Sequence, residues 1–427
     1  MQNRVQKKKK ISLTTMIFIA LLAGALAGVI INYLIPSNYV VDDIIVQGVF
    51  YIVGQGFIRL MRMLVVPLVF CSIVCGSMAV GDTKKLGSVG VKTLIFYLCT
   101  TALAITVALT IANIFNPGKG LDMSQIQVTS TVSETTQSMS MTETLLDIIP
   151  VNIFNSLSEG NMLQIIVFAL ILGVILANMG DRVDIVKNFF GQFNDIMMEM
   201  TMAVMKLAPI GVFCLIAKTF AEIGFEVFIP LLKYMFCVLL ALVVQCFVVY
   251  LGLLKIFSGL NPFIFIKNFF PVMAFAFSTS TSNATIPMNI DTLAEKMGVS
   301  KKISSFTIPL GATINMDGTS IMQGVAVVFT AQAFGIPLDM MDYLTVIGTA
   351  TLASIGTAGV PSVGLITLTM VFNSVGLPIE GIALIMGIDR ILDMTRTAVN
   401  ITGDAVCTTI VASWNKAVDR DVYYNRK

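Results

Sequence analysis

The stretch IDRILDMTRTAVNITGD, Ile388 to Asp404, places three aspartates and two arginines inside an otherwise apolar run. Wound as a helix at about 100° per residue, Asp389, Asp393, Arg396, Asn400 and Asp404 share one stripe roughly 80° wide, with Thr397 at its border. Ile391, Leu392, Met394, Ala398, Val399 and Ile401 cover much of the remainder. A charge at the centre of a bilayer costs roughly 3 kcal/mol on insertion scales, so charges at that depth pair and line a cavity or an ion path. A soluble amphipathic helix would show the same stripe, but the rest of the chain is too apolar for that.

Of the 427 residues, 56% are hydrophobic and 12% are charged. Globular chains carry about twice that share of charge, so this composition is that of a polytopic all-α membrane protein. Lys7 to Lys10 precede the first apolar run as a positive-inside anchor rather than a nucleic-acid patch, and no nucleic-acid partner is expected. That run, about Ser12 to Ile35, is too long for a signal peptide. The seven cysteines lie in apolar segments without metal-like spacing, and Cys71 and Cys75 read as packing residues. The chain contains no histidine, which removes Ser-His-Asp chemistry and histidine metal sites.

Upstream of the opening stretch, two apolar segments are interrupted at their midpoints by small polar residues. The first, about Pro262 to Met297, is broken by STSTSNATIP (Ser278 to Pro287). The second, about Leu344 to Ser374, is broken by SIGTAGVPSVG (Ser354 to Gly364). A continuous membrane helix does not favour such residues. A re-entrant helical hairpin does, because its tip offers backbone amides at a half-helix N-terminus at membrane depth. Each broken segment precedes a helix with a polar motif: GATINMDGT (Gly311 to Thr319) after the first, the opening stretch after the second. Hairpin and helix, twice over, is an internal repeat of the kind that builds transporter binding sites. Lysines around Glu295 to Lys302, and acids without Lys or Arg around Leu338 to Asp342 and Pro378 to Gly381, bring one hairpin in from each side, an inverted repeat.

The chemistry of these motifs is that of a carrier of charged solutes. Ser280, Thr281, Ser282 and Asn283 in one tip, and Gly356 to Gly359 in the other, offer amides and hydroxyls suited to a carboxylate. In Asn315-Met316-Asp317-Gly318, Gly318 is expected to permit an unwound turn whose carbonyls, with Asp317, suit a small hard cation. Asp404 and Asn400 offer a similar oxygen set. Arg396 is a bidentate carboxylate receptor and Asp393 an ammonium receptor, three residues apart on one face; the alternative is that they only neutralise each other. Asp389 and Arg390 read as a structural pair near a helix end. An intramembrane enzyme using a serine of Ser278 to Ser282 would lack both histidine and a lysine base in that motif, and a passive ion channel would not concentrate substrate.

Taken together, SNATIP, GATINMDGT, ASIGTAGVPSVG and DRILDMTRTAVNITGD resemble the glutamate transporter family, the dicarboxylate/amino acid:cation symporters, across essentially the whole chain. The resemblance implies an elevator-type transporter of eight transmembrane helices plus two re-entrant hairpins, a homotrimer in the lipid bilayer of a prokaryotic plasma membrane, with both termini cytoplasmic. It implies scaffold helices 1 and 2 (1–82) and 4 and 5 (144–226), an extracellular Ser/Thr-rich loop (116–143), and a transport domain. The latter comprises helix 3 (86–115), helix 6 (228–257), hairpin 1 (261–298), helix 7 (301–334), the gating hairpin 2 (340–376) and helix 8 (381–416).

The implied cargo is an acidic amino acid, L-aspartate or L-glutamate, driven by sodium or, in its place, protons; the alternative cargo on the same fold is a neutral amino acid or a C4-dicarboxylate. Arg396 would take the side-chain carboxylate and Asp393 the amino group, with Thr397, Asn400, Thr319 and Met316 around them. Ser282, Asn283, Gly359, Val360 and Gly364 of the two tips would enclose the rest. One sodium would sit at Asp404, Asn400, Gly311 and Asn315. A second would lie at Thr313, Met316, Ser354, Ile355 and Thr357, and a third at Asp317, Asn315, Tyr97, Thr100 and Thr101. Two departures stand out: Asn283 replaces a serine of the family's usual run, and Gln323 stands where proton-carrying members have a glutamate.

Overall fold

The computed structural model describes residues 13–36, 38–81, 88–121, 149–224, 228–355 and 363–424. The lysines at 7–10, the basic loop at 82–85, most of the 116–143 loop and residues 356–362, with Thr357, Gly359 and Val360, lie outside the described residues.

The described secondary structure is helical, as expected where no water is present to satisfy backbone groups. In order come α1 (Leu13–Leu34), a π-wound segment (Val40–Phe50) running into α2 (Tyr51–Gly81), α3 (Ser88–Phe115), α4 (Ile153–Glu159), α5 (Met162–Met179), α6 (Asp184–Met205) and α7 (Ala208–Ile223). Then follow α8 (Phe228–Val243), a second π segment (Val244–Tyr250), α9 (Leu251–Ser258), α10 (Pro262–Thr279), α11 (Ser282–Met297), α12 (Lys301–Ile314) and α13 (Asp317–Ala333). The chain continues with α14 (Met340–Ser354), α15 (Val363–Ser374), α16 (Gly381–Trp414) and α17 (Arg420–Tyr423).

Among the described residues, six segments are long and apolar enough to cross a membrane: Thr15–Leu34, Val40–Leu60, Ser88–Phe115, Gln164–Met205, Phe228–Ser258 and Pro262–Thr279. Their outward faces carry exposed Ile19, Leu22, Leu26, Ile95, Ile171, Phe236 and Phe247, the apolar coat that lipid requires. Helix α16 is not in that set, and its described charges face inward: Asp389, Asp393, Arg396 and Asp404 are all buried.

Two packing groups are evident. Helix α1 lies along α7, and α2 contacts α5, α6 and α7. The second group has α16 at its centre, against α8 to α13, with α3 packed on α8, α13 and α14. The first broken segment is a helical hairpin, α10 against α11. Its turn is made by Ser280, at φ 51°, in the left-handed region that a non-glycine residue rarely enters. Asn261 caps α10 by accepting from the Phe263 amide, with Pro262 in the first turn. Helices α14 and α15 pack as a second hairpin, opened by a capping box between Asp339 and Asp342.

The break in GATINMDGT falls at Asn315 and Met316, which have non-helical dihedrals, while Asp317 already opens α13. This corrects the expectation that Gly318 supplies the unwound turn: Gly318 is helical. Its lack of a side chain serves close approach instead. A Cβ there would lie 2.8 Å from the Arg396 carbonyl oxygen and 3.0 Å from the Arg396 Cα. The apolar region after residue 149 is likewise in pieces: α4 ends at Glu159, Gly160 turns at φ 72°, and α5 begins at Met162.

Candidate functional site

The site lies where the α12–α13 break meets α16, with the π segment and α3 behind it. At the break, helical hydrogen bonding stops for two residues, and side chains from α16 replace it. Asn400 Oδ1 accepts from the Gly318 amide at 2.7 Å, capping α13 from a different helix, while its Nδ2 donates to Met316 Sδ at 3.3 Å. Asn315 Nδ2 donates to Asp404 Oδ1 at 2.9 Å and to the Asn400 carbonyl at 3.2 Å. Gly311 and Gly403 make room: a Cβ at Gly311 would run into Asp404, and one at Gly403 would lie 2.6 Å from Asn315 Nδ2. The structure thus brings Gly311, Asn315, Asn400 and Asp404 together.

Asp317 is fully buried and receives three side-chain donors. Thr101 Oγ1 reaches its Oδ1 at 2.5 Å; Tyr250 OH and Gln245 Nε2 reach its Oδ2 at 2.7 and 3.1 Å. Such a cradle offsets the cost of burying a carboxylate. Tyr97 donates its hydroxyl to the Thr307 carbonyl at 3.1 Å, and Thr100 bonds back to the Tyr97 carbonyl. Gln245 and Tyr250 were not among the residues expected from the sequence. The available signal was Gln245 itself, a lone amide in an apolar span.

Arg396 is 1% exposed and donates to two carboxylates, Asp389 Oδ1 at 2.6 Å and Asp393 Oδ1 at 2.9 Å. Asp389 is therefore a partner of Arg396 deep in the fold; the side chain of Arg390, its expected partner, lies outside the described ones. A Cβ at Gly364 would lie 2.9 Å from Thr319 Cγ2 and 3.7 Å from Arg396 Nη2, so the start of α15 closes over this pair. Thr397 spends its hydroxyl on the Asp393 carbonyl, 2.8 Å away.

The remaining expected residues are more dispersed. Ser282 is buried at the start of α11, whereas Asn283 beside it is exposed. The hydroxyls of Thr313 and Ser354 bond back within their own helices, to Leu310 and Thr351, and Ile355 is buried at the end of α14. Gln323 Nε2 donates to Thr367 Oγ1 at 2.8 Å, tying α13 to the second hairpin.

Among the buried polar atoms, Asn315 Oδ1 and Gln245 Oε1 have no hydrogen-bond donor. Each belongs to an amide whose nitrogen touches a buried aspartate, so an acceptor oxygen is left open beside Asp404 and beside Asp317. The carboxylates, amide oxygens, carbonyls and hydroxyls gathered here are oxygen groups of the kind that suit a small hard cation such as sodium.

Comparison with known proteins agrees with this chemistry. The family described as "Sodium:dicarboxylate symporter family" matches residues 13–414. The chain is 40% identical over 411 residues to the proton/sodium-glutamate symport protein of Bacillus caldotenax, covering 95% of each. It is 36% identical over 422 residues to the proton/glutamate-aspartate symporter of Escherichia coli (strain K12), covering 97% of this chain and 95% of that one. It is also 33% identical over 372 residues to C4-dicarboxylate transport protein 1 of Ralstonia nicotianae, covering 86% of each. With its buried ionic helix, its paired hairpins and this match along nearly its full length, the chain belongs to the sodium:dicarboxylate symporter family and is a transporter, not an enzyme.

Proposed function

We propose that this protein is a secondary active symporter that imports L-aspartate or L-glutamate, coupled to sodium, across a prokaryotic plasma membrane. The observation that carries the reading is the buried Arg396 held between Asp389 and Asp393 on the helix that also bears Asn400 and Asp404. A guanidinium beside a carboxylate is complementary to a zwitterion with an extra acid group: the side-chain carboxylate engages Arg396 and the ammonium engages Asp393.

Asp317, Asp389, Asp393 and Asp404 outweigh Arg396 among the described side chains, so the unloaded site disfavours an acidic substrate. Bound sodium supplies the compensating positive charge. Asp404, Asn400, Asn315 and the Gly311 carbonyl would hold one ion, Asp317, Thr101, Asn315, Tyr97 and Thr100 another. Thr313, Met316, Ser354, Ile355 and Thr357 would hold a further one. Coupling is then the difference in substrate affinity between the ion-loaded and ion-free protein.

The elevator mechanism assigns α1, α2 and α4 to α7 to a static scaffold in a homotrimer. It assigns α3 and α8 to α16 to the moving domain, with the second hairpin as gate. The two packing groups support that division. Both termini would be cytoplasmic.

Relatives named for C4-dicarboxylate transport and for proton coupling favour two neighbouring readings, a dicarboxylate without an amino group and a proton as coupling ion. Uptake of labelled L-aspartate into proteoliposomes, under an inward sodium gradient, a proton gradient or neither, tests all of these. Concentrative uptake that requires sodium is expected. Uptake driven by protons alone overturns the sodium assignment, and succinate outcompeting aspartate overturns the substrate.

A further inference from the structure

We infer that Gln245 and Tyr250, both in the π-wound segment of the span Phe228–Ser258, are positioning residues that set the coupling-cation affinity of the Asp317 site. The inference rests on the sodium-coupled reading above.

The two residues are five apart. On an α-helix they would point about 140° apart and could not meet at one carboxylate. The i→i+5 register of a π-helix returns Tyr250 over Gln245. Between Val244 and Tyr250 the span adopts that register, and both side chains reach the same oxygen, Asp317 Oδ2. The winding therefore has a chemical consequence: it converts two residues of an apolar span into a two-point clamp. π-wound turns recur at functional sites for this kind of reason.

The clamp is asymmetric. Oδ2 takes the two donors of the π segment, whereas Oδ1 takes Thr101 from α3, a hydroxyl also directed at the Tyr97 carbonyl. With Oδ2 fixed, Oδ1 is held toward Thr101 on α3. Gln245 is fixed in turn, since its Nε2 lies 3.4 Å from the Thr100 carbonyl, and its Oε1 is left open. Gly403 completes the arrangement, because a Cβ there would lie 2.5 Å from the Tyr250 hydroxyl. Without the clamp, the carboxylate is free to rotate away from the cation ligands, and the rotation must be reversed before each binding event. Neither side chain needs to touch the ion for this to raise its affinity.

The test uses the purified full-length protein without substrate, with sodium chloride as the probe and choline chloride as the ionic-strength control. The readouts are the sodium-dependent rise in Tm and, in proteoliposomes, the sodium dependence of aspartate uptake. Tyr250→Phe removes one hydroxyl that bonds to a charged group. It is expected to raise the sodium midpoint about tenfold or more, on top of the fall in Tm in choline that losing one donor to a buried carboxylate brings. Gln245→Leu is expected to act in the same direction, and raising sodium further is expected to restore uptake by Tyr250→Phe. A sodium midpoint unchanged in Tyr250→Phe overturns the positioning role and leaves the symporter reading intact. A drop in Tm in choline with no change in midpoint likewise overturns it, as a merely structural role. If the wild type shows no sodium-dependent shift, or Asp317→Asn keeps the full shift, the sodium site itself is overturned and the inference goes with it.

Discussion

Arg396 and Asp389, seven residues apart on α16, form a buried ion pair with 2.6 Å between Nη1 and Oδ1. Two helical turns separate them, and the long guanidinium side chain folds back along the axis to span the gap. Asp393, one turn nearer, takes the other terminal nitrogen. The pairing fixes the plane of the guanidinium, which on the proposed reading presents a substrate carboxylate with a preoriented receptor. Arg396→Ala is expected to abolish uptake of acidic amino acids. It is also expected to lower stability by about 3–5 kcal/mol, because two buried carboxylates lose their counter-charge. Adding Asp389→Asn should restore much of the Tm without restoring uptake. Aspartate affinity left intact in Arg396→Ala would remove the arginine from the substrate site.

Asp404 is reached by Asn315 at 2.9 Å, and it shares the α12 break with Asn400. Replacing its carboxylate with an amide keeps the volume and removes the charge. Asp404→Asn is expected to weaken the sodium dependence of uptake by at least tenfold, since a hydrogen bond or ion contact to a charged group is worth about 1.5–3 kcal/mol. A sodium titration of aspartate uptake checks this. A curve that superimposes on the wild type would exclude Asp404 as a cation ligand.

Much of this site was legible in the sequence because membrane depth makes polar residues conspicuous. Asp393, Arg396, Asn400 and Asp404 fall on one helical stripe, and Ser280 marks a hairpin turn by interrupting an apolar segment. Asp317 was visible as an acid next to a glycine. Its partners were not, because they depend on a helix changing its register: at 100° per residue Gln245 and Tyr250 point apart. The position of the helix break was also misread. Gly318 suggested a flexible turn, but it is needed where α13 crosses α16 at Arg396, a tertiary contact that no local pattern encodes. Asp389 was undervalued for a similar reason, since its role depends on how far the arginine side chain folds back.

Gln323 is 2% exposed and joins α13 to the second hairpin through Thr367. Gln323→Leu removes that donor and keeps most of the side-chain volume, so it is expected to lower stability by about 1 kcal/mol and to change the rate of uptake through the second hairpin. A wild-type Tm and wild-type uptake in Gln323→Leu would show that the Gln323–Thr367 bond does not influence the hairpin.

The base of the first hairpin is fastened by the segment after α16. The Asp419 amide donates to the Gly298 carbonyl at 2.8 Å, the Ser300 amide to Ala417 at 2.9 Å, and Val299 bridges to Val418. The hydroxyl of buried Tyr423 donates to the Asn261 carbonyl at 2.9 Å, and Arg420 reaches the Ser258 carbonyl at 3.3 Å. Gly298 sits at φ 64°, and a Cβ there would collide with the Asp419 carbonyl. Tyr423→Phe removes one hydrogen bond, worth about 1 kcal/mol, and leaves the packing. Gly298→Ala adds backbone strain of about 1–2 kcal/mol and pushes the strap off its seat. The glycine variant is therefore expected to lose more thermal stability than the tyrosine variant and to become cleavable by protease around residues 298–300. If both variants keep the wild-type Tm and resist protease equally, the strap contributes nothing to holding the hairpin base. If Gly298→Ala falls in Tm and is cut at that turn, the base of the hairpin depends on the strap.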